Sequence, residues 1–146
     1  MKITTKGRYG LRIMLELALR AGGGPVLVET VAKKQSISSK YIHVLVSALK
    51  NAGLLRAVRG PNGGLELARS AEEITVLEIV EALEGRAAWM ACVDDTCACP
   101  KGEACAARDL WADVADAVKT VLSGRTLAAL AEAQRANENE PIMFYI

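Results

Sequence analysis

Residues 9–20 place Leu11, Met14, Leu15, Ala18 and Leu19 three and four positions apart, the spacing of one face of an α-helix. The run Ala21-Gly22-Gly23-Gly24-Pro25 stops that helix; with no strand in front of it, it is a breaker and not a phosphate loop. A short helix follows over residues 28–34, then Gln35-Ser36-Ile37-Ser38. A further helix spans 39–51, with Ser38 as its N-cap, Tyr41, Ile42, Leu45, Val46 and Leu49 as its apolar face, and Gly53 as its stop. Two strand-like stretches, residues 54–58 and 65–68, flank the turn-rich Arg59-Gly60-Pro61-Asn62-Gly63-Gly64 and predict a hairpin. Two helices joined by about four residues, the second flanked by bases, form a helix-turn-helix, and a basic-tipped hairpin directly after it makes a winged helix.

Thr75-Val76-Leu77-Glu78 is a capping box, opening a helix that ends at Gly85. Beyond a cysteine-rich loop, residues 106–123 form a long helix with Leu110, Trp111, Val114, Val118, Val121 and Leu122 on one stripe. DNA-reading helix-turn-helix proteins generally pair to cover two half-sites, so this stripe is expected to face a second subunit. The pattern thus predicts a mainly α protein in three parts. Residues 1–85 form a winged helix-turn-helix DNA-binding domain with a two-stranded wing, 86–106 a cysteine-rich sensor loop, and 107–146 a long C-terminal dimerisation helix and tail.

The 146 residues are 51% hydrophobic and 24% charged, which supplies a core and excludes wholesale disorder. No apolar run approaches the roughly 18 residues of a membrane span. The first six residues lack the apolar core of a signal peptide, so a soluble, cytoplasmic protein with no membrane partner is expected. Charge sharpens the division. Residues 1–70 hold 12 Lys and Arg against Glu16, Glu29 and Glu66, a net +9, while residues 71–146 hold 6 against 14 acids, a net −8. A basic block of domain size beside an acidic one points to a polyanion partner, here double-stranded DNA.

The four cysteines, Cys92, Cys97, Cys99 and Cys105, share one polar loop. Absence of an export signal disfavours disulfides. Zinc loops usually carry Cys-x2-Cys pairs, and none is present. Thiolates without neighbouring histidines suit an iron–sulfur cluster; zinc and a thiol switch remain the alternatives. The same inventory argues against an enzyme: there is no Cys-x2-Cys redox motif, and the single histidine, His43, lies in the expected recognition helix.

The opening residues 1–12, the wing Arg59-Gly60-Pro61-Asn62-Gly63-Gly64 and the cysteine loop together resemble the IscR/CymR/NsrR family of dimeric winged-helix bacterial transcription regulators. The resemblance runs over nearly the whole chain. It implies that Ser38, Ser39, Lys40 and Tyr41 stand at the major-groove end of the recognition helix, with His43 on the same helix. It also implies that Arg59 enters the minor groove with Pro61 and Asn62 beside it at the wing tip. Many members follow the tyrosine with Leu-Glu-Gln, whereas Tyr41 is followed by Ile42-His43-Val44, so the target sequence differs. Cluster-bearing members use three cysteines about five or six residues apart. Cys92, Cys99 and Cys105, with six and five residues between them, match best. The histidine ligand some members carry is replaced by Arg108, and the aspartate others use by Arg8. Cys97, Asp94, Asp95, Glu103 and Asp109 are left as candidates for the fourth ligand.

The tail Pro141-Ile142-Met143-Phe144-Tyr145-Ile146 looks like that of the family's cysteine-metabolism repressors, whose terminal isoleucine resembles the peptide that enters the active site of cysteine synthase. Two functions follow as expectations. The first is a dimeric DNA-binding regulator that senses redox, iron or nitric oxide status through an iron–sulfur cluster of 2Fe–2S or 4Fe–4S type. The second is a repressor of cysteine and sulfur metabolism genes, signalled by cysteine synthase docking on Ile146, with the cysteines as a thiol switch or zinc site.

Overall fold

The computed structural model describes residues 3–85, 93 and 105–139. In chain order the elements are α1 (Thr5–Leu19), α2 (Val28–Gln35), α3 (Ser39–Asn51), β1 (Leu55–Val58), β2 (Gly64–Leu67), α4 (Val76–Glu84), α5 (Ala106–Ser123) and α6 (Leu127–Asn139). This is a mainly α winged helix-turn-helix fold with a two-stranded wing, followed by two long helices.

α1 starts one turn before the expected residue 9, because its cap comes from a distant part of the chain. Thr4 Oγ1 accepts from the Lys6 N–H at 3.1 Å. Glu84, the last residue of α4, accepts at Oε1 from the Thr4 N–H (3.0 Å), the Thr4 hydroxyl (2.7 Å) and the Gly7 N–H (3.0 Å). One carboxylate thus takes over the role that a glutamate at the third helical position plays in a local capping box. The buried face of α1 is also shifted from the expected one. Gly7, Gly10, Ile13, Met14, Leu17 and Ala18 are buried, while Leu11, Leu15 and Leu19 are half-buried at its edge. The reason is close approach: a Cβ at Gly10 would overlap the Leu83 side chain of α4.

α3 has the expected bounds and cap. Ser38 Oγ accepts from the Tyr41 N–H, and Ile42, Leu45, Val46 and Leu49 face inward. Its end is a Schellman motif: the Leu54 N–H donates to the Leu49 carbonyl and the Gly53 N–H to that of Lys50, with Gly53 at φ 69°. In the wing, Leu55 pairs with Leu67, Arg56 with Glu66, Ala57 with Leu65 and Val58 with Gly64. Sequence reading missed a third edge. Val26 bridges Leu65 through two backbone hydrogen bonds of 2.8 Å. Gly64 allows this, since a Cβ there would lie 2.5 Å from the Val26 carbonyl oxygen.

The capping box at Thr75 and Glu78 forms as expected and starts α4. The larger surprise is α6. Its Leu127 and Ala131 belong to the same core cluster as Ile13, Ile42, Leu45, Leu49 and Ile79. Backbone hydrogen bonds from Leu127 N–H to the Ile74 carbonyl (2.8 Å) and from Ala128 N–H to that of Ala71 (3.0 Å) hold it there. Residues 127–139, expected to belong with the dimerisation segment, thus return to the winged-helix core. α5 behaves differently: Ala115 is its single buried residue, while Leu110, Trp111, Val114 and Val121 are exposed.

Candidate nucleic-acid interface

The orientation of α3 follows from its own sequence. Its four inward residues leave Lys40, His43, Val44, Ser47, Lys50 and Asn51 exposed on the opposite side. No carboxylate occurs anywhere from residue 30 to 65, a stretch with six Lys and Arg, so nothing in it repels a phosphate backbone. That acid-free window was readable from sequence and is a sharper signal than the half-chain charge balance.

The bases from residue 12 to residue 69 divide into two sets. Arg12, Arg20, Arg56 and Arg69 are each tied to Gln35, Glu16, Glu66 and Glu78 respectively. Lys33, Lys34, Lys40, Lys50 and Arg59 have no ion-pair or hydrogen-bond partner among the described residues. This leaves the second set free to contact phosphates.

Each expected DNA-contact residue can be located. Ser38 caps α3, Ser39 is half-buried in its first turn, and Lys40 and His43 are exposed. Arg59, Pro61 and Asn62 are exposed in the loop between β1 and β2, with Gly60 at φ 114° making the bend. Tyr41, expected on the apolar face of this helix as well as at the DNA, packs against partners that the sequence did not name. Its half-buried ring meets Tyr9 edge-on at 6.1 Å, and the Arg12 guanidinium lies 5.5 Å from the Tyr9 ring centroid. Arg12 Nε donates to Gln35 Oε1 (2.9 Å), Gln35 Nε2 donates to Glu16 Oε2 (3.0 Å), and Glu16 pairs with Arg20 at 2.6 Å. Glu16 is 2% exposed, so a buried charge with two partners locks α1 to α2, and the tyrosine pair locks α1 to α3.

Cys105 stands at the N-cap position of α5, partly buried and without a disulfide, its carbonyl accepting from the Arg108 N–H at 2.9 Å. Cys92, Cys97, Cys99, Asp94, Asp95, Glu103 and Ile146 lie outside the described residues. Asp109 is exposed in the first turn of α5. Among the described residues there is no cluster of three metal-ligating side chains, and no helix is long and apolar enough to cross a membrane.

A helix-turn-helix with a free basic face and an arginine-tipped wing defines a DNA-binding transcription regulator. The chain belongs to the Rrf2 family, described as iron-dependent transcriptional regulators, whose profile matches residues 3–133. It is 42% identical over 146 residues to the HTH-type transcriptional regulator CymR of Bacillus subtilis, covering all of both chains. To the HTH-type transcriptional regulator IscR of Erwinia tasmaniensis it is 35% identical over 147 residues, covering 96% of this chain and 88% of that one. Among solved structures, CymR, the global cysteine regulator of B. subtilis, is similar with a TM-score of 0.79 at 41% identity, covering 91% of this chain and 98% of that one. T. potens IscR also gives 0.79, at 34% identity, covering 99% and 97%.

Proposed function

We propose that this regulator acts as a homodimer whose loop of Cys92, Cys99 and Cys105 holds an iron–sulfur cluster, and that gain, loss or oxidation of the cluster changes DNA affinity. The observation that carries the reading is the position of Cys105 at the first turn of α5. A group bound to its thiol is attached to the helix whose exposed stripe, Leu110, Trp111 and Val114, suits a second subunit. The donor set fits the group: four cysteines within 14 residues match the thiolate ligation such clusters use. When bound, the cluster supplies a redox-active iron centre held by thiolate sulfur. The chain's own residues do the rest. Lys40 and Lys50 neutralise phosphates, Arg59 enters the minor groove from the wing tip, Ser38 to Tyr41 and His43 face the major groove, and α5 sets the spacing of two recognition helices, which must lie about 34 Å apart.

Protein purified without oxygen tests this through its absorption spectrum, with iron and acid-labile sulfide counted per chain. Visible charge-transfer bands with matched iron and sulfide, lost in Cys105→Ala, are expected. A protein still colourless after reconstitution with iron and sulfide overturns the cluster reading and leaves zinc, a thiol switch or no cofactor.

The full-length similarity to a global cysteine regulator favours a second reading, in which the chain represses cysteine and sulfur metabolism genes and responds to cysteine synthase through Ile146. Deleting the last four residues should then abolish capture of that enzyme, and undiminished capture removes the tail from the mechanism.

A further inference from the structure

Val44 is 57% exposed in the middle of α3, a β-branched apolar side chain on a face otherwise made of Lys40, His43, Ser47, Lys50 and Asn51. At about 100° per residue, Lys40, Val44, Ser47 and Asn51 form one stripe directly opposite the buried Ile42, Leu45, Val46 and Leu49. Those four are 6% exposed or less, so α3 cannot roll to hide Val44. A valine here contributes nothing to the core, and branching at Cβ makes it a weaker helix former than lysine or glutamine would be at the same exposed position.

The face around it is built for a polyanion, with Lys40 one turn before and Lys50 beyond, and no acid in the helix. In the major groove the one apolar feature is the C5 methyl of thymine. We propose that Val44 is a specificity-determining residue that packs against a thymine methyl in each half-site. The proposal rests on α3 entering the major groove, and it assigns this chain a base preference that a polar side chain at the same position would not give. Lys40 and Lys50 hold the register through phosphates, and Val44 reads one step between them. Because apolar contact excludes water from both methyl surfaces, removing either partner forfeits the same area.

The test begins by selecting bound duplexes from a random pool with the full-length protein. Each thymine of the recovered site is then replaced singly by deoxyuridine, which deletes the methyl and keeps base pairing. One thymine per half-site should show about fourfold weaker binding on replacement, the equivalent of one buried methyl. Val44→Ala should bind the parent site about fourfold more weakly and be indifferent to that replacement, while melting no lower than the wild type, because the residue is exposed and alanine is the better helix former. Wild-type indifference at every thymine, or unchanged sensitivity in Val44→Ala, overturns the assignment while leaving DNA binding intact. Failure to retain any duplex overturns the DNA reading beneath it.

Discussion

Replacing Glu84 by alanine isolates the clamp that joins the end of α4 to the start of α1. The substitution removes the acceptor of three hydrogen bonds, from Thr4 N–H, the Thr4 hydroxyl and Gly7 N–H. Each is worth about 0.5–1.5 kcal/mol net, and the freed donors at Thr4 can turn to water. Carboxylate at a helix N-terminus adds a few tenths more. The sum is about 2 kcal/mol, or roughly 6 °C in melting temperature for a chain of this size. Urea unfolding at one fixed protein concentration measures it. Glu84→Gln keeps an acceptor oxygen and should lose only about half. Gly7 provides an internal check. A Cβ there would lie 2.7 Å from Glu84 Oε1, so Gly7→Ala should destabilise the wild type. In the Glu84→Ala background the Glu84 obstruction is gone and only the exposed Ile3 Cγ2, 3.1 Å away, must yield, so alanine's helix propensity should make the same change stabilising by up to about 1 kcal/mol. A Glu84→Ala protein within about 0.3 kcal/mol of wild type, or no reversal of sign at Gly7, refutes the clamp.

Gly64→Ala should break the Val26–Leu65 bridge, two backbone bonds, at about 2 kcal/mol, and a wing whose Val26 amide stays equally protected from hydrogen exchange would count against it. Glu78 gives an acid-side signature. Burial pushes its carboxyl up, but hydrogen bonds from Thr75 and the pull of Arg69 together hold it below its ordinary value of 4.5. The stabilisation is therefore complete above that value and lost as pH falls through the lower folded value; Glu78→Gln should flatten the stability curve below pH 4.5, and an unchanged slope would exclude the box as its source. Arg59→Ala should weaken DNA binding and reduce the log–log salt slope by about 1, readable by titration at several salt concentrations. Trp111→Glu places a charge on the exposed stripe of α5 and should convert the proposed dimer to monomers in sedimentation; an unchanged dimeric mass would move the subunit contact elsewhere.

What was legible in the sequence follows the range of the interactions. α3, α5 and the Thr75–Glu78 cap were readable to within a residue because their signals are local: a Ser or Thr cap, a helical period, a glycine stop. The start of α1 was not, because its Thr4 cap is completed by Glu84, 80 residues away. The buried face of α1 was misjudged because Gly7 and Gly10 carry no apolar side chain and are buried only by the nearness of Glu84 and Leu83. The Val26 bridge escaped because a lone pair of strand residues has no period. α6 escaped because its alanines and charges resemble a solvated tail, and only Leu127 and Ala131 reach the core. On the candidate DNA face, the exposed bases were predictable by charge, whereas the Tyr41–Tyr9–Arg12 contact needed the crossing of α1 and α3.

Helix α5 is anchored asymmetrically, and that bears on how a change at the cysteines would reach DNA in the proposed dimer. Its far end is tied to the winged-helix body by backbone bonds from Val76 N–H to the Arg125 carbonyl (2.9 Å), Leu127 N–H to Ile74 and Ala128 N–H to Ala71. Its near end begins at Cys105, the last of the four cysteines in the sequence. Eighteen residues make a rod about 27 Å long. A shift of about 1 Å at the Cys105 end, pivoting on the tied end, tilts the rod by about 2°. Carried over the roughly 34 Å between half-sites, that tilt displaces one recognition helix by about 1 Å relative to the other. Hydrogen bonds to base edges tolerate only a few tenths of an ångström before they weaken steeply. A ligand-sized movement at Cys105 is therefore large enough to change affinity with no refolding of the reading head, provided the fold transmits it rigidly. The Glu84 clamp and the Glu16–Gln35–Arg12 chain supply that rigidity, which is why loosening Glu84 should blunt the response to the cysteines as well as lower the melting temperature.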